Sequence, residues 1–109
     1  MFLGAYTWAA WMFSKLTAEL YSLSVPDAVR KLATEPARRF GLSDRGSIAI
    51  GKRADIAVFD PVNFSTAGTI TNPNVLAAGM QHVVVNGTAV IRNGTATDAR
   101  PGQLLRNRV

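Results

Sequence analysis

Apolar residues are grouped at strand length between Gly46 and Pro61. Gly46 and Gly51 flank Ser-Ile-Ala-Ile and supply the backbone freedom that a tight reversal onto a sheet requires. After the charged pair Lys52-Arg53, residues 54–60 read Ala-Asp-Ile-Ala-Val-Phe-Asp, which is apolar and β-branched over the length of a strand. Pro61 has no N–H for a ladder and ends it. This pattern predicts a mostly buried strand.

A second group of alternating residues follows towards the end of the chain. Residues 82–85, His-Val-Val-Val, and residues 88–92, Thr-Ala-Val-Ile-Arg, are separated by Asn86-Gly87, a strong signal for a two-residue hairpin turn. Asn93-Gly94 indicates a second turn of the same kind. The second half of the chain is therefore predicted to form a small antiparallel sheet.

The segment after Ser24 has residues that typically begin and end a helix. Ser24 is a natural N-cap, Pro26 is tolerated in the first turn, and Asp27 favours the positive end of the helix. Pro36 is expected to end or restart this helix, and Gly41 to cap its C-terminus. The predicted buried face consists of Ala28, Val29, Leu32 and Ala33.

The opening segment, residues 2–23, is strongly apolar and aromatic, which raises the question of a membrane span or a signal peptide. Lys15 and Glu19 interrupt the apolar run well before the length of about 20 residues that a span needs, and no basic region precedes it. The aromatic residues lie around the helix rather than along one stripe, so we expect a helix that needs covering on several sides. A helix lying in a membrane interface is the less favoured alternative.

The formal net charge of +5 calls for weighing a nucleic-acid partner. The basic residues are scattered in pairs along the chain, without an aromatic platform or a recognised DNA- or RNA-binding motif among them. We therefore expect no nucleic-acid partner and no membrane partner. The chain has no cysteine, which fits a reducing compartment and leads us to expect a cytoplasmic protein.

The sequence offers few candidates for catalytic residues. A catalytic zinc site needs about three protein ligands from His, Cys and carboxylates, and this chain has a single histidine, His82, inside a strand pattern. No nucleophile lies beside a base with an orienting group. We therefore predict no catalytic, no cofactor-binding and no metal-binding residues, with His82 as an ordinary strand side chain.

Two carboxylates, Asp55 and Asp60, flank the predicted strand. Five residues apart, they project to opposite faces of an extended chain, so cooperation as acid and base is not expected. We interpret both as polar residues that mark the ends of the strand. For Asp55 we expect a side-chain bond to backbone amides of the preceding turn.

The run from Gly46 to Asp60 resembles the signature that opens the C-terminal part of the small β-domain in the amidohydrolase superfamily. The resemblance extends upstream through residues 24–42, with Pro-Ala-Arg and Phe-Gly-Leu, to what precedes that signature in N-acyl-D-amino-acid deacylases. Downstream, residues 79–87 and 92–94 are similar to the closing hairpin of that family, and residues 101–103 to its tail. The resemblance covers roughly residues 23–106.

This resemblance implies a metal-dependent hydrolase of non-peptide C–N bonds, with a TIM-type barrel that carries a zinc site and a composite β-domain beside it. A barrel takes about 250 residues and does not fit in this chain. The family's His-x-His pair, its later ligands and its catalytic Asp have no counterpart here. The chain is therefore expected to be inactive alone.

The predicted fold class is α+β, with residues 1–42 as terminal barrel helices and residues 43–109 as a portion of the β-domain. The expected partner is the missing barrel portion, or a second copy through the first helix and an open sheet edge. A truncated chain is one interpretation. A subunit of a split enzyme, an independent small binding module and a gene remnant are the alternatives.

Overall fold

The computed structural model describes residues 7–106. Residues 2–6 of the apolar opening segment lie outside this range. The chain divides into two compact units: residues up to Ala28 with Phe59–Met80, and Val29–Val58 with the chain from Gln81 onward. Helices precede strands along the chain, which confirms the α+β class for this segment.

The helical half consists of three short α-helices and two π-helical turns. The helices are α1 (Trp8–Ser14), α2 (Val25–Val29) and α3 (Glu35–Arg39). A π-helical turn follows α1 at Lys15–Glu19 and another joins α2 to α3 at Arg30–Thr34. Among residues 7–106, no helix is long and apolar enough to cross a membrane.

The predicted helix caps are confirmed. Ser24 Oγ accepts the backbone N–H of Asp27 at 3.2 Å, as an N-cap does. Pro36, by contrast, neither ends nor restarts the helix, because Thr34 and Glu35 keep helical backbone angles and the π-helical turn continues directly into α3. Gly41 has a φ of 73°, and the N–H groups of Gly41 and Leu42 donate to the carbonyls of Arg38 and Ala37 at 3.1 and 2.8 Å. This is the glycine-capped pattern that closes many helices.

The predicted buried face of the second helix is only partly correct. Ala28 is buried and Leu32 half-buried, but Val29 is 38 % exposed and Ala33 is exposed. The π-helical turn at Arg30–Thr34 takes more residues per turn than an α-helix, so positions spaced for an α-helix leave the buried face. Ala37 of α3 is buried instead.

The sheet contains four strands in the order β1 (Ile56–Phe59), β2 (Met80–Val85), β3 (Thr88–Arg92) and β4 (Thr95–Ala96). The pairs β2/β3 and β3/β4 are antiparallel, with an irregularity between Val83 and Val84. Both predicted Asn-Gly turns are present, with positive φ at all four residues. The hairpin predictions are therefore confirmed.

The strand β1 is less buried than its sequence predicts. Ala57 is exposed and Val58 is 43 % exposed, while Ile56 and Phe59 are half-buried. Because β1 ends the strand order, it has β2 as its one strand neighbour within the described residues. Side chains of a strand project from the two faces of the sheet, so the exposed Ala57 and Val58 show that these faces are only partly covered within the described residues.

An aromatic cluster forms the core of the first unit. Phe13 of α1 is 1 % exposed, and its ring lies edge-on to Phe59 with 5.3 Å between centroids. Phe64 lies 5.3 Å from both rings. The opposite side of α1 presents Trp8 and Trp11, which are 54 % and 56 % exposed. The aromatic residues of this helix are therefore split between core and surface.

Candidate functional site

A polar cluster in the second unit joins three parts of the sequence, and we call it the Arg45 cluster. It consists of the side chains of Arg45, Asp55 and Asn86 and the carbonyl of Pro101. Arg45 follows the Gly41 cap, Asp55 immediately precedes β1, and Asn86 is the first residue of the turn between β2 and β3. Each residue is thus placed by a local structure that the sequence encodes independently.

The hydrogen bonds of the Arg45 cluster form a connected network. Asp55 Oδ1 accepts the backbone N–H of Asn86 at 2.8 Å, and Asp55 Oδ2 accepts from Arg45 Nη1. Arg45 Nη2 donates to Asn86 Oδ1 at 2.7 Å. Asn86 Nδ2 donates to the carbonyl of Pro101 at 2.8 Å. Both ends of the Asn86 amide are therefore occupied.

Arg45 is the least exposed charged side chain of the cluster, at 10 %. Its Nε is buried and has no hydrogen-bond acceptor among residues 7–106. Asp44 Oδ1 lies 4.0 Å from this atom, too far for a hydrogen bond. The guanidinium is thus stabilised mainly through its two terminal nitrogens, in the fork geometry that suits arginine.

The cluster fixes the charge of Asp55. The backbone N–H of Asn86 lowers the pKa of Asp55 most, burial opposes this, and the hydrogen bond and charge of Arg45 lower the pKa further. Asp55 is therefore ionised at neutral pH, with both oxygens already bonded. Such a carboxylate is a poor general acid or base, because it has neither a proton to give nor an oxygen free to take one.

An open pocket of about 670 Å³ borders the Arg45 cluster. Its charged lining residues are Asp44, Arg45, Arg53 and Arg106, and Leu42 and two tail leucines supply apolar surface. Arg53 Nε lies 3.5 Å from Asp44 Oδ2. The lining contains no histidine, and its one hydroxyl, Ser43, makes no hydrogen bond to a base within residues 7–106. Three of the four charged lining residues are arginines, so the charge of the lining is mainly positive.

His82 lies half-buried on β2. Its Nδ1 accepts the backbone N–H of Asn93 at 3.2 Å, at the turn between β3 and β4. Within residues 7–106, no group of three or more His, Asp or Glu side chains is placed to hold a metal ion. The sequence prediction that His82 is an ordinary strand residue thus has a structural explanation, since its ring holds a turn.

The two carboxylates are bonded differently. Asp60 Oδ1 accepts the N–H of Val62 at 2.9 Å and Oδ2 accepts from Asn63 Nδ2 at 2.6 Å, and these bonds lower the pKa of Asp60. This is the predicted strand-end role. For Asp55, the prediction of a bond to the preceding turn is wrong, because its partner Asn86 is 31 residues further along the chain.

Sequence reasoning missed Arg45 and Asn86 as members of one cluster. Asn86 was predicted as a turn residue on backbone grounds, and that prediction says nothing about its side-chain amide. Arg45 immediately precedes Gly46, the first residue of the run from Gly46 to Asp60 that resembles the family signature. That position was the one signal in the sequence that Arg45 has a role. Nothing in the spacing of Arg45 and Asn86 pairs them.

Comparison with known proteins connects this geometry to a family. The sequence pattern of the Amidohydrolase family matches residues 5–91. The chain is 44 % identical over 89 residues to an N-acyl-D-glutamate deacylase of Alcaligenes xylosoxydans xylosoxydans, a match that covers 82 % of this chain and 18 % of that protein. The chain thus spans about a sixth of the length of the curated relatives it matches.

Solved structures agree with the sequence matches. The crystal structure of D-aminoacylase superposes with a TM-score of 0.80 at 32 % identity, covering 94 % of this chain and 21 % of that one. An N-acyl-D-glutamate deacylase from Bordetella bronchiseptica, complexed with zinc and a phosphonate inhibitor, superposes with a TM-score of 0.79 at 34 % identity, covering 89 % of this chain and 20 % of that one. Sequence and backbone therefore lead to the same conclusion: this chain belongs to the amidohydrolase family.

Proposed function

We propose that this chain is a non-catalytic segment of a metal-dependent hydrolase that cleaves the C–N bond of N-acyl-D-amino acids. The observation that carries the proposal is the superposition of 94 % of the chain on D-aminoacylase. The curated relatives with the longest matches are deacylases of N-acyl-D-amino acids. The described residues contribute scaffold to such an enzyme, and the reacting groups belong to the remainder of it.

The metal of the solved relatives does not fit the described residues. One of these relatives is complexed with zinc and another is described by its binuclear metal centre. A zinc site needs three or four ligands from His, Cys and carboxylates. Within residues 7–106, His82 belongs to no group of three or more candidate ligands, and Asp55 has both oxygens bonded. No step of a metal reaction is therefore assigned to these residues.

We further propose that residues 1–42 are the last helices of a barrel and residues 43–109 part of its composite β-domain. Every helix of residues 7–106 ends by Arg39, and every strand begins at or after Ile56, which supports this division. Trp8 and Trp11 leave a large apolar area on α1 exposed. The outer edge of β1 has no strand beside it in the described chain. The rest of the hydrolase is the proposed cover for both surfaces.

The proposed function is tested by comparing this chain with the complete protein that carries it. Both are assayed with zinc for release of amino acid from N-acetyl-D-glutamate, N-acetyl-D-aspartate and an apolar N-acetyl-D-amino acid. We expect hydrolysis by the complete protein, sensitive to chelator, and none by this chain. Hydrolysis by this chain alone that survives both chelator and His82→Ala contradicts the proposal.

Self-association is the second candidate, favoured by the same exposed surfaces. In the absence of a barrel portion, a second copy can bury Trp8 and Trp11 or pair with the edge of β1. Sedimentation of the purified chain tests this. Oligomers that Trp11→Glu shifts towards monomers support an interface on α1, whereas a clean monomer over a wide concentration range rejects self-association.

A further inference from the structure

The sequence Asn-Gly-Thr occurs twice in this chain, at residues 86–88 and 93–95. Both copies form the same turn: φ is 48° and 81° at Asn86 and Gly87, and 51° and 77° at Asn93 and Gly94. Local sequence and backbone conformation are therefore matched. Any difference in the chemistry of the two asparagines comes from their surroundings.

Asn86 is held by three hydrogen bonds of its own and by a fourth from the next residue, Gly87. Its Oδ1 accepts from Arg45 and its Nδ2 donates to the carbonyl of Pro101, so both atoms of the amide are fixed. Its backbone N–H donates to Asp55 Oδ1. The N–H of Gly87 donates to the carbonyl of Ala54 at 3.0 Å. The amide carbon of Asn86 cannot turn towards the Gly87 nitrogen until several of these bonds break.

Asn93 has much less to hold it. The residue is exposed, and its side-chain amide makes no hydrogen bond to any residue between 7 and 106. Its backbone N–H donates to His82 Nδ1, and the N–H of Gly94 donates to the carbonyl of Gln81 at 2.8 Å. The following strand, β4, is two residues long and lies at the end of the sheet. Short terminal elements open at low free energy.

We propose that Asn93 is a site of spontaneous deamidation, and that the Arg45 cluster protects Asn86 in the same sequence from that reaction. The backbone nitrogen of Gly94 attacks Cγ of Asn93, the N–Cγ bond forms, and the Cγ–Nδ2 bond breaks. The Gly94 N–H proton passes to solvent base, and Nδ2 takes up a proton from solvent and leaves as ammonia. Water then opens the cyclic imide, at one carbonyl to give aspartate and at the other to give isoaspartate.

Glycine after the asparagine makes this reaction accessible, because it has no Cβ to obstruct the approach of its nitrogen. The product carries one more negative charge than asparagine, and isoaspartate also lengthens the backbone by one carbon. The lengthened backbone disrupts the hydrogen bonds of the Asn93 turn to β2.

Peptide mapping of the whole chain tests the proposal. The folded protein is held in mildly alkaline buffer, and the mass increase of about 1 Da is followed in the peptides that contain Asn86 and Asn93. We expect Asn93 to react about tenfold faster than Asn86, because its turn opens more readily. In denaturant the two rates should be similar, since the Gly-Thr that follows is the same. Circular dichroism of the incubated sample establishes that it is folded, and equal rates in that sample overturn the proposal.

Hydrogen exchange provides a second measurement that needs no variant. The amide of Gly94 should exchange about tenfold faster than that of Gly87, if opening of the turn is what exposes the reacting nitrogen. A variant tests the source of the protection. Arg45→Gln removes the guanidinium that donates to Asn86 Oδ1 and should raise the deamidation rate of Asn86 selectively. Exchange at Gly87 as fast as at Gly94 contradicts the assignment of protection to the Arg45 cluster, whether or not the variant folds.

Discussion

Asp55 Oδ1 accepts the backbone N–H of Asn86 at 2.8 Å, across 31 residues of sequence. The bond ties the residue that precedes β1 to the turn between β2 and β3. Arg45 bonds to both partners, so the contact is part of a network rather than an isolated pair. This relationship fixes the position of the hairpin relative to the start of β1 within the second unit.

Asp55→Ala is expected to destabilise the chain by about 1–3 kcal/mol. The substitution leaves the N–H of Asn86 without its acceptor and the mostly buried Arg45 without its carboxylate. Urea unfolding followed by circular dichroism measures the loss. The matched control is Asp44→Ala, since Asp44 is 51 % exposed and 4.0 Å from Arg45. We expect a loss of less than about 1 kcal/mol for Asp44→Ala, because the Asp44 side chain is half exposed and does not hydrogen-bond Arg45. Equal losses for the two variants would contradict the role given to Asp55.

The contribution of Asp55 should depend on pH in the acid range. Its pKa in the folded chain lies below the ordinary value of 3.8, chiefly because the N–H of Asn86 bonds to the ionised form. The stabilisation is therefore fully present above 3.8 and is lost as the pH falls through the lower, folded pKa.

The unfolding free energy of the natural chain and of Asp55→Ala, measured over a pH series, tests this dependence. The difference between the two proteins should stay constant near neutral pH and shrink below the ordinary carboxyl pKa. Asp60 and Glu35, whose pKa values are also lowered, contribute equally to both proteins and cancel. A difference that does not change with acidification rules out a linked ionisation at Asp55.

Local signals in the sequence predicted the ends of the elements well. Ser24 and Gly41 act within one helical turn of their own positions, and each Asn-Gly pair encodes its turn through two adjacent residues with positive φ. Such interactions need no knowledge of the rest of the fold. The helix caps and both hairpin turns could for this reason be predicted from the residues alone.

Features that depend on distant residues were missed or mistaken. Asp55 was assigned to the preceding turn because its true partner, Asn86, is brought close only by the sheet. Burial was overestimated at Val29 and Val58, because the cover of a side chain comes from residues that are distant in the sequence. The Arg45 cluster is a property of the assembled unit, and the sequence pattern does not encode its contacts locally.

Phe13→Ala should destabilise the first unit strongly, by about 3–5 kcal/mol. Phe13 is 1 % exposed and its ring contacts Phe59 and Phe64, so truncation leaves a cavity between two aromatic rings. Thermal unfolding of Phe13→Ala and of the milder Phe13→Leu should give a graded loss.

The control for Phe13 is another aromatic residue on the same helix. Trp11 is 56 % exposed on α1, so Trp11→Ala removes more atoms but less buried surface. We expect its effect on the monomer to stay below about 1.5 kcal/mol. A larger effect of Trp11→Ala than of Phe13→Ala would contradict the assignment of the Phe13 side of α1 to the core.

A position can require glycine because its φ is positive or because a Cβ would clash with a neighbour. Gly46 and Gly51 allow these two reasons to be tested separately. Both have a positive φ, 87° and 86°, which costs any residue with a Cβ about 1–2 kcal/mol. A Cβ on Gly51 meets nothing within 4 Å, whereas one on Gly46 lies 2.5 Å from the Cβ of Ala37 and 3.2 Å from the carbonyl of Ala33. Gly46→Ala should therefore add an overpacking cost of about 1–3 kcal/mol to the conformational cost that both variants share.

The two alanine variants separate these terms when their unfolding free energies are measured side by side in urea. Gly51→Ala reports the conformational cost alone, and the excess in Gly46→Ala reports the close approach to α3. Ala37→Gly in the Gly46→Ala background removes the clashing Cβ and should recover part of that excess, although glycine within a helix itself costs about 1 kcal/mol. Equal losses in Gly46→Ala and Gly51→Ala would show that backbone conformation, rather than contact with α3, sets the requirement for glycine at position 46.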